Sequence, residues 1–288
     1  MASPGVRLDA DGEAIAIYAG DLNGNLWKFD VSSASSGSWV VANSGSPFFE
    51  AKDSSGKAQP ITAPITMKVN EVTADTNNGK LFVYFGTGSD FRVDDPNNTD
   101  TQTWYGLIDE GTAITNRTDL KERTITATGT LTGKSVRVFS EAVAGDMAEK
   151  KGFFIDLPAS GERMVTASNY YKLAEPVLIA SSIIPSVDDC VPGGTGYLNA
   201  INPFTGARLT KPFFDVTNDG DFTNDVLPGT GGGFIGSVDL GVGKPGESIL
   251  IGKWLTTGGS KGIIEEIRIN LGLTPFTGRL SWREIVTD

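Results

Sequence analysis

Histidine is absent from this 288-residue chain, and cysteine occurs once, at Cys190. Without histidine there is no imidazole general base, no Ser-His or Cys-His nucleophile, and none of the preferred ligand of catalytic zinc. One cysteine permits no internal disulfide and no cysteine-rich zinc site, so Cys190 reads as an inert thiol. Positive charge is short as well: 24 Lys and Arg stand against 35 Asp and Glu, a net charge of −11. That balance repels a phosphate backbone and argues against nucleic-acid binding. No apolar run approaches the roughly 20 residues of a membrane-spanning helix, and the opening MASPGVRLDADGEA has no signal-peptide core. If the protein is exported, its signal is expected outside this chain.

What is present is the texture of a β-protein. Glycine contributes 36 residues, and Val, Ile, Thr and aromatic residues fill short runs punctuated by Gly, Asn, Asp and Ser. A motif recurs: a strand, a polar turn, a second apolar strand ending in Asp or Asn, then a short loop closing on Gly. The first copy is IYAGDLNGNLWKFDVSSASSG, with Asp30 before Gly37; the second is VYFGTGSDF, a polar insertion, and WYGLIDEG, with Asp109 before Gly111. The third is KGFFIDLPASGER (Asp156, Gly161), the fourth GTGYLNAINPFTGARL (Asn202, Gly206), and the fifth IEEIRINLGLTPFTGRLSW (Asn270, Gly278). The Asp or Asn side chain bonds to the backbone ahead, and Gly supplies the positive φ of the return. Hairpins of this kind cannot bury an apolar face alone, so they stack as blades. The predicted fold is one all-β domain over residues 1–288: a β-propeller of four-stranded antiparallel blades, incomplete or reduced, with about five repeats.

Strands are predicted near Ala14 to Tyr18, Lys80 to Phe85, Phe153 to Asp156, Val177 to Ser181 and Ile249 to Ile251. Polar loops are predicted over 89–103, most of 185–195, and 211–233. The stretch from Glu141 to Lys151 is a weak helix candidate, broken by Gly145. Trp27, Trp104, Trp254 and Trp282 are expected to pack between blades.

The strongest site signal is FDVTNDGDFTNDV, from Phe214 to Val226. As a calcium loop, Asp215 takes position 1, Thr217 position 3, Asp219 position 5, Gly220 the sharp turn at 6, and Asp221 the backbone-carbonyl position 7. Thr217 stands where Asp or Asn is usual. Asp225 falls at position 11 rather than 12, and a one-residue deletion would let it close the site. The alternative is a solvated acidic loop rich in Asx turns. Asp9 and Asp11, and the trio Asp21, Asn23 and Asn25, are read as turn chemistry. The cluster PGTGGG at 228–233 lacks the Lys and Ser or Thr of a P-loop and is read as a linker.

In combination, AGDLNGNLWKFD, CVPGGTGYLNAINPFTG, FDVTNDGDFTND and the terminal GRLSWRE resemble the C-terminal propeller domain of the PilY and PilC type of type IV pilus biogenesis factor and tip adhesin. The likeness runs in order over nearly the whole chain. It implies a Ca²⁺ ligand set of Asp215, Thr217, Asp219, Asp221 and Asp225, and no enzymatic activity. It further implies a module at the pilus tip or bacterial outer surface that regulates pilus extension and retraction, twitching motility and adhesion to host cells or abiotic surfaces, with minor pilins as partners. The family's domain is larger and carries repeats ahead of AGDLNGNLW. This chain therefore reads as the C-terminal part of a longer protein, a reduced member, or a ring closed with fewer blades. Loss of the first blades would leave a strand edge or apolar face open near one terminus. GNLWKFD and GYLNAINPFTG also resemble pyrroloquinoline quinone propellers, so a quinone-dependent dehydrogenase and a metal-free structural propeller stand as rivals.

Overall fold

The run Leu81–Gly86 is buried along its whole length, which a strand achieves only when both of its faces are covered. Leu81, Val83 and Phe85 join one hydrophobic cluster, while Phe82 and Tyr84 join another. Its neighbour Thr103–Asp109 divides in the same way, Tyr105 and Leu107 to one side, Trp104 and Ile108 to the other. These alternations place one sheet between two others, as blades are placed.

The computed structural model describes residues 2–186 and 193–272 and resolves them into four blade-like sheets and a two-stranded ribbon. The first sheet is an antiparallel meander of Gly5–Leu8, Ala14–Gly20, Asn25–Asp30 and Val40–Val41, with Phe49–Glu50 also on the third strand. The second orders Thr66–Val69, Leu81–Gly86, Thr103–Asp109 and Gly152–Asp156 antiparallel, then adds Lys121–Arg123 in parallel. In the third, Ile125–Leu131, Lys134–Phe139, Ser237–Val238, Gly194–Ile201, Val177–Pro185 and Asn169–Tyr171 lie side by side. The fourth is Phe214–Asp215, Ile264–Ile269, Trp254–Gly258 and Ile249–Ile251.

Three clusters hold the sheets in sequence. One packs Tyr18, Leu26 and Phe49 of the first sheet on Val83, Phe85 and Tyr105 of the second; the next packs Phe82, Trp104 and Phe153 on Leu178 and Ile201 of the third. The last packs Val136, Ile179 and Leu198 of the third sheet on Phe214, Leu255 and Ile267 of the fourth. Among the described residues no cluster joins the first sheet to the fourth, so the blades form an open arc. Among the described residues an apolar face stands open at both ends. Val6, Ile17, Phe29 and Val41 are register partners and share the outer face of the first sheet. On the fourth, Ile249, Ile251 and Ile264 are 64%, 62% and 71% exposed and share their face with Trp254.

All five predicted strands are present, and the chain is all-β with antiparallel blades as its repeats imply. The five copies nevertheless fill four sheets, because the second and third lie in one: Thr103–Asp109 pairs directly with Gly152–Asp156. Of the residues between them, Lys121–Arg123 stays on the edge of that sheet and the hairpin 125–139 is donated to the next. Blades hold four to six strands. The helix candidate near Glu141 to Lys151 is a series of turns, with N–H groups of Asp146, Ala148 and Lys150 bonded three residues back. Gly145 and Glu149 both adopt positive φ there, which no α-helix accommodates. Trp104 is fully buried between the second and third sheets; Trp27 instead donates its indole N–H to Asp21, and Trp254 lies on the open face. Cys190, Trp282, Gly278 and the GRLSWRE segment fall outside the described residues.

Candidate metal site in the Asp215 to Asp225 loop

Two strands anchor this loop at its start. Phe214 is fully buried in the cluster between the third and fourth sheets, and its strand pairs Phe214 with Ile269 and Asp215 with Arg268. That pairing sets Asp215 on the face opposite Phe214, beside Arg268, and the loop that curls over it leaves its side chain wholly shielded from solvent. Beyond Asp225 the chain enters the ribbon Val226–Leu227 with Gly233–Phe234. The loop also touches the third sheet, where the Thr132 hydroxyl donates to the Val216 carbonyl at 3.0 Å. It therefore bridges two blades.

The loop curls around its first and last acids. Asp215 Oδ1 accepts the Asp219 N–H at 3.2 Å, and Oδ2 accepts the Gly220 N–H at 3.0 Å. Gly220 has φ +85°, and a Cβ there would stand 2.5 Å from Arg268 Nη1, so both backbone and space require glycine. Asp225 Oδ1 accepts the N–H groups of Val216 at 2.8 Å and Thr217 at 3.0 Å. Its other oxygen, Oδ2, is buried with no hydrogen-bond partner, and the residue is 0% exposed. Burial pushes the Asp225 carboxyl above the usual range against the pull of the Thr217 and Val216 N–H groups, and the Asp215 charge adds to the rise.

The remaining candidates lie nearer the surface. Asp219 accepts the Asp221 N–H at 2.8 Å and the Asn224 amide at 2.6 Å, and those bonds hold its carboxyl below the usual range. The Thr217 hydroxyl lies 3.5 Å from Asp215 Oδ1 and 3.3 Å from Asn224 Oδ1. Asp221 turns to other work, because its carboxylate caps the short 3₁₀ turn Phe222–Asn224 through the Thr223 N–H and hydroxyl. Thus Asp215, Thr217, Asp219 and Asp225 are gathered into one hydrogen-bonded loop. Their carboxylates do not converge on a point, and among the described residues no group of three or more acid, His or Cys side chains could hold a metal ion as placed. Two members of the site are missing from the sequence reading. Asn224 ties Asp219 to Thr217, and its place as an amide inside the acidic stretch is the signal for it, although it stands out of step with the alternating donors; Arg268 arrives by strand register alone.

The smaller motifs behave as turns. Asp9 accepts the N–H groups of Asp11 and Glu13, and Asp21 accepts those of Asn23 and Asn25 together with the Asn25 amide. The 228–233 segment closes the ribbon, and the Gly231 carbonyl accepts the Thr126 hydroxyl of the third sheet.

Residues 1–138 match the family model of the PilY1 beta-propeller domain. A type IV pilus biogenesis factor PilY1 homolog of Xylella fastidiosa is 36% identical over 286 residues, which is 94% of this chain and 21% of that protein. The type IV pilus biogenesis factor PilY1 of Pseudomonas aeruginosa PAO1 is 28% identical over 249 residues, covering 74% of this chain and 21% of its own length. The chain thus spans about a fifth of the length of these curated relatives. Among solved structures, the Pseudomonas aeruginosa PilY1 C-terminal domain superposes with a TM-score of 0.72 at 22% identity, over 94% of this chain and 61% of that one, a likeness of fold. An arc of antiparallel blades, built from the repeats of that domain and matched in sequence along almost its whole length, is a propeller domain of the PilY1 type.

Proposed function

We propose that this chain is a non-enzymatic, calcium-responsive module of a type IV pilus biogenesis factor. It acts outside the cell, at the pilus tip or outer-membrane surface, where it influences pilus extension and retraction, twitching motility and attachment to host cells or abiotic surfaces. The biogenesis role rests on the family; the calcium response rests on one observation, the partnerless buried Oδ2 of Asp225 beside Asp215. An unsatisfied, desolvated carboxylate oxygen costs about 1–3 kcal/mol or more, and a hard cation is the ligand that relieves it. Asp215, Asp219 and Asp225 would hold the ion through side-chain oxygens, Asp221 through its carbonyl, and Thr217 would fill the remaining place. Bound Ca²⁺ supplies the positive charge that lets these carboxylates approach one another.

The chain's own residues make such a change matter to the fold. Asp215 is fixed to the fourth sheet, Val216 to the third, and Asp225 opens the ribbon. A shift at Asp225 therefore acts on the junction of two blades. Minor pilins and the attachment surface are the proposed partners of the ordered state.

Calorimetric titration of the purified chain in chelator-cleaned buffer tests the reading. One site is expected in the wild type. Asp225→Ala or Asp219→Ala should weaken binding by at least about tenfold, and Thr217→Ala by much less, because affinity follows ligand charge. Equal affinity in wild type, Asp219→Ala and Asp225→Ala would refute the site.

A further inference from the structure

The buried first acid of this loop, Asp215, has a basic neighbour that comes from a different strand. Arg268 sits in Ile264–Ile269, directly opposite Asp215 in the register, and its Nη1 is 3.9 Å from Asp215 Oδ2. That separation is too long for a hydrogen bond. Each Asp215 oxygen instead accepts a loop N–H, from Asp219 or Gly220, and keeps a lone pair free. Among the described residues no side-chain N–H of Arg268 is committed to a hydrogen bond, so its tie to the loop is charge alone. The guanidinium also lies 5.7 Å from the centre of the Phe222 ring, within the same loop, and its side chain is 30% exposed. It can move from Asp215 towards that ring or into solvent without breaking any directional bond. Gly220 keeps its place open, since any Cβ there would collide with Nη1.

We propose that Arg268 is the internal counter-cation of the Asp215 to Asp225 loop: it offsets the acids when calcium is absent, withdraws when calcium enters, and so sets the concentration at which the loop fills. This rests on the calcium reading above. Two positive charges in one small acidic pocket oppose each other, so the guanidinium weakens calcium binding by the same linkage through which it steadies the empty loop. A packing strut behaves differently, because its loss weakens the empty and the filled loop alike.

The test uses the full 288-residue chain, calorimetric calcium titration at low and high salt, and thermal unfolding in chelator and in calcium. Two neutral variants, Arg268→Met and Arg268→Gln, are compared with Arg268→Lys. Both neutral variants should bind calcium about tenfold more tightly at low salt, with the gain shrinking at high salt as charges are screened. Their unfolding midpoint in chelator should fall below that of the wild type, and the rise on adding calcium should be larger. Arg268→Lys should stay near the wild type. Calcium binding by the neutral variants but not by the wild type would also support the proposal. Equal or weaker binding in both neutral variants would overturn it while the calcium site stands, and no binding by any chain would overturn the two together.

Discussion

Asp109 shows how one side chain joins two blades. It ends the strand Thr103–Asp109 of the second sheet, and its Oδ2 accepts from the Tyr18 hydroxyl and from Lys28 Nζ at 2.5 Å, both in the first sheet. Burial pushes the carboxyl up, yet the bonds from Lys28 and Tyr18 outweigh it and hold the group below the usual range. A depressed folded value means stability that is present above the unfolded value and is lost as pH falls through the folded one. Asp109→Ala should therefore cost about 1–3 kcal/mol at neutral pH, since it strands two buried donors. The difference from wild type should shrink below the ordinary aspartate range, about pH 4. Urea unfolding at neutral and acid pH checks both. A gap that does not change with pH would show that the bond owes nothing to charge.

At the scale of elements, the insertion from Ser89 to Thr103 is polar in sequence but fixed in structure. The Arg163 guanidinium, almost fully buried, donates to the carbonyls of Ser89, Asp95 and Asn98 at 2.7 Å and of Gly161 at 2.9 Å. From within the loop, Asp95 accepts the Ser89 hydroxyl and the N–H groups of Phe91 and Arg92. The loop thus holds Phe91 and Val93 out in solvent, 64% and 94% exposed. Arg163→Ala removes the central donor and leaves buried carbonyls unpaired, at a cost of about 1–3 kcal/mol or more. Hydrogen exchange should quicken across 89–98 while the strands Leu81–Gly86 and Thr103–Asp109 stay protected. Uniform loss of protection over the second sheet would mean that the clamp holds the blade and not the loop.

For the whole molecule, the arc creates two kinds of blade. Among the described residues the second and third sheets are covered on both faces, and the first and fourth on one. Isoleucines three residues apart on one strand therefore differ sharply in cost. Ile267 is 3% exposed against the third sheet, and Ile264 is 71% exposed on the outer face. Ile267→Lys buries an unpaired charge and should destabilise by more than about 4 kcal/mol. Ile264→Lys should stay within about 0.5 kcal/mol. Comparable losses in denaturant unfolding would show that the outer face of the fourth sheet is covered in solution.

The sequence alone determined the all-β class, the strand positions, the turn roles of Asp9 and Asp21, and the span of the acidic loop. Each follows from local chemistry: alternation of apolar side chains, an Asx side chain bonding two residues ahead, or Gly at a positive φ. The tertiary structure alone decided which strands share a sheet. The second and third copies merge into one blade because Thr103–Asp109 and Gly152–Asp156 pair across an excursion that no local pattern marks. It also decided the inner and outer members of the loop. Asp215, Asp219, Asp221 and Asp225 look alike in sequence, yet the folded loop closes over the first and last and leaves the middle two to solvent. Arg268 joins them only through the register of a strand more than fifty residues away. Burial and long-range register are properties of the packed chain, so a list of residue types in order does not contain them.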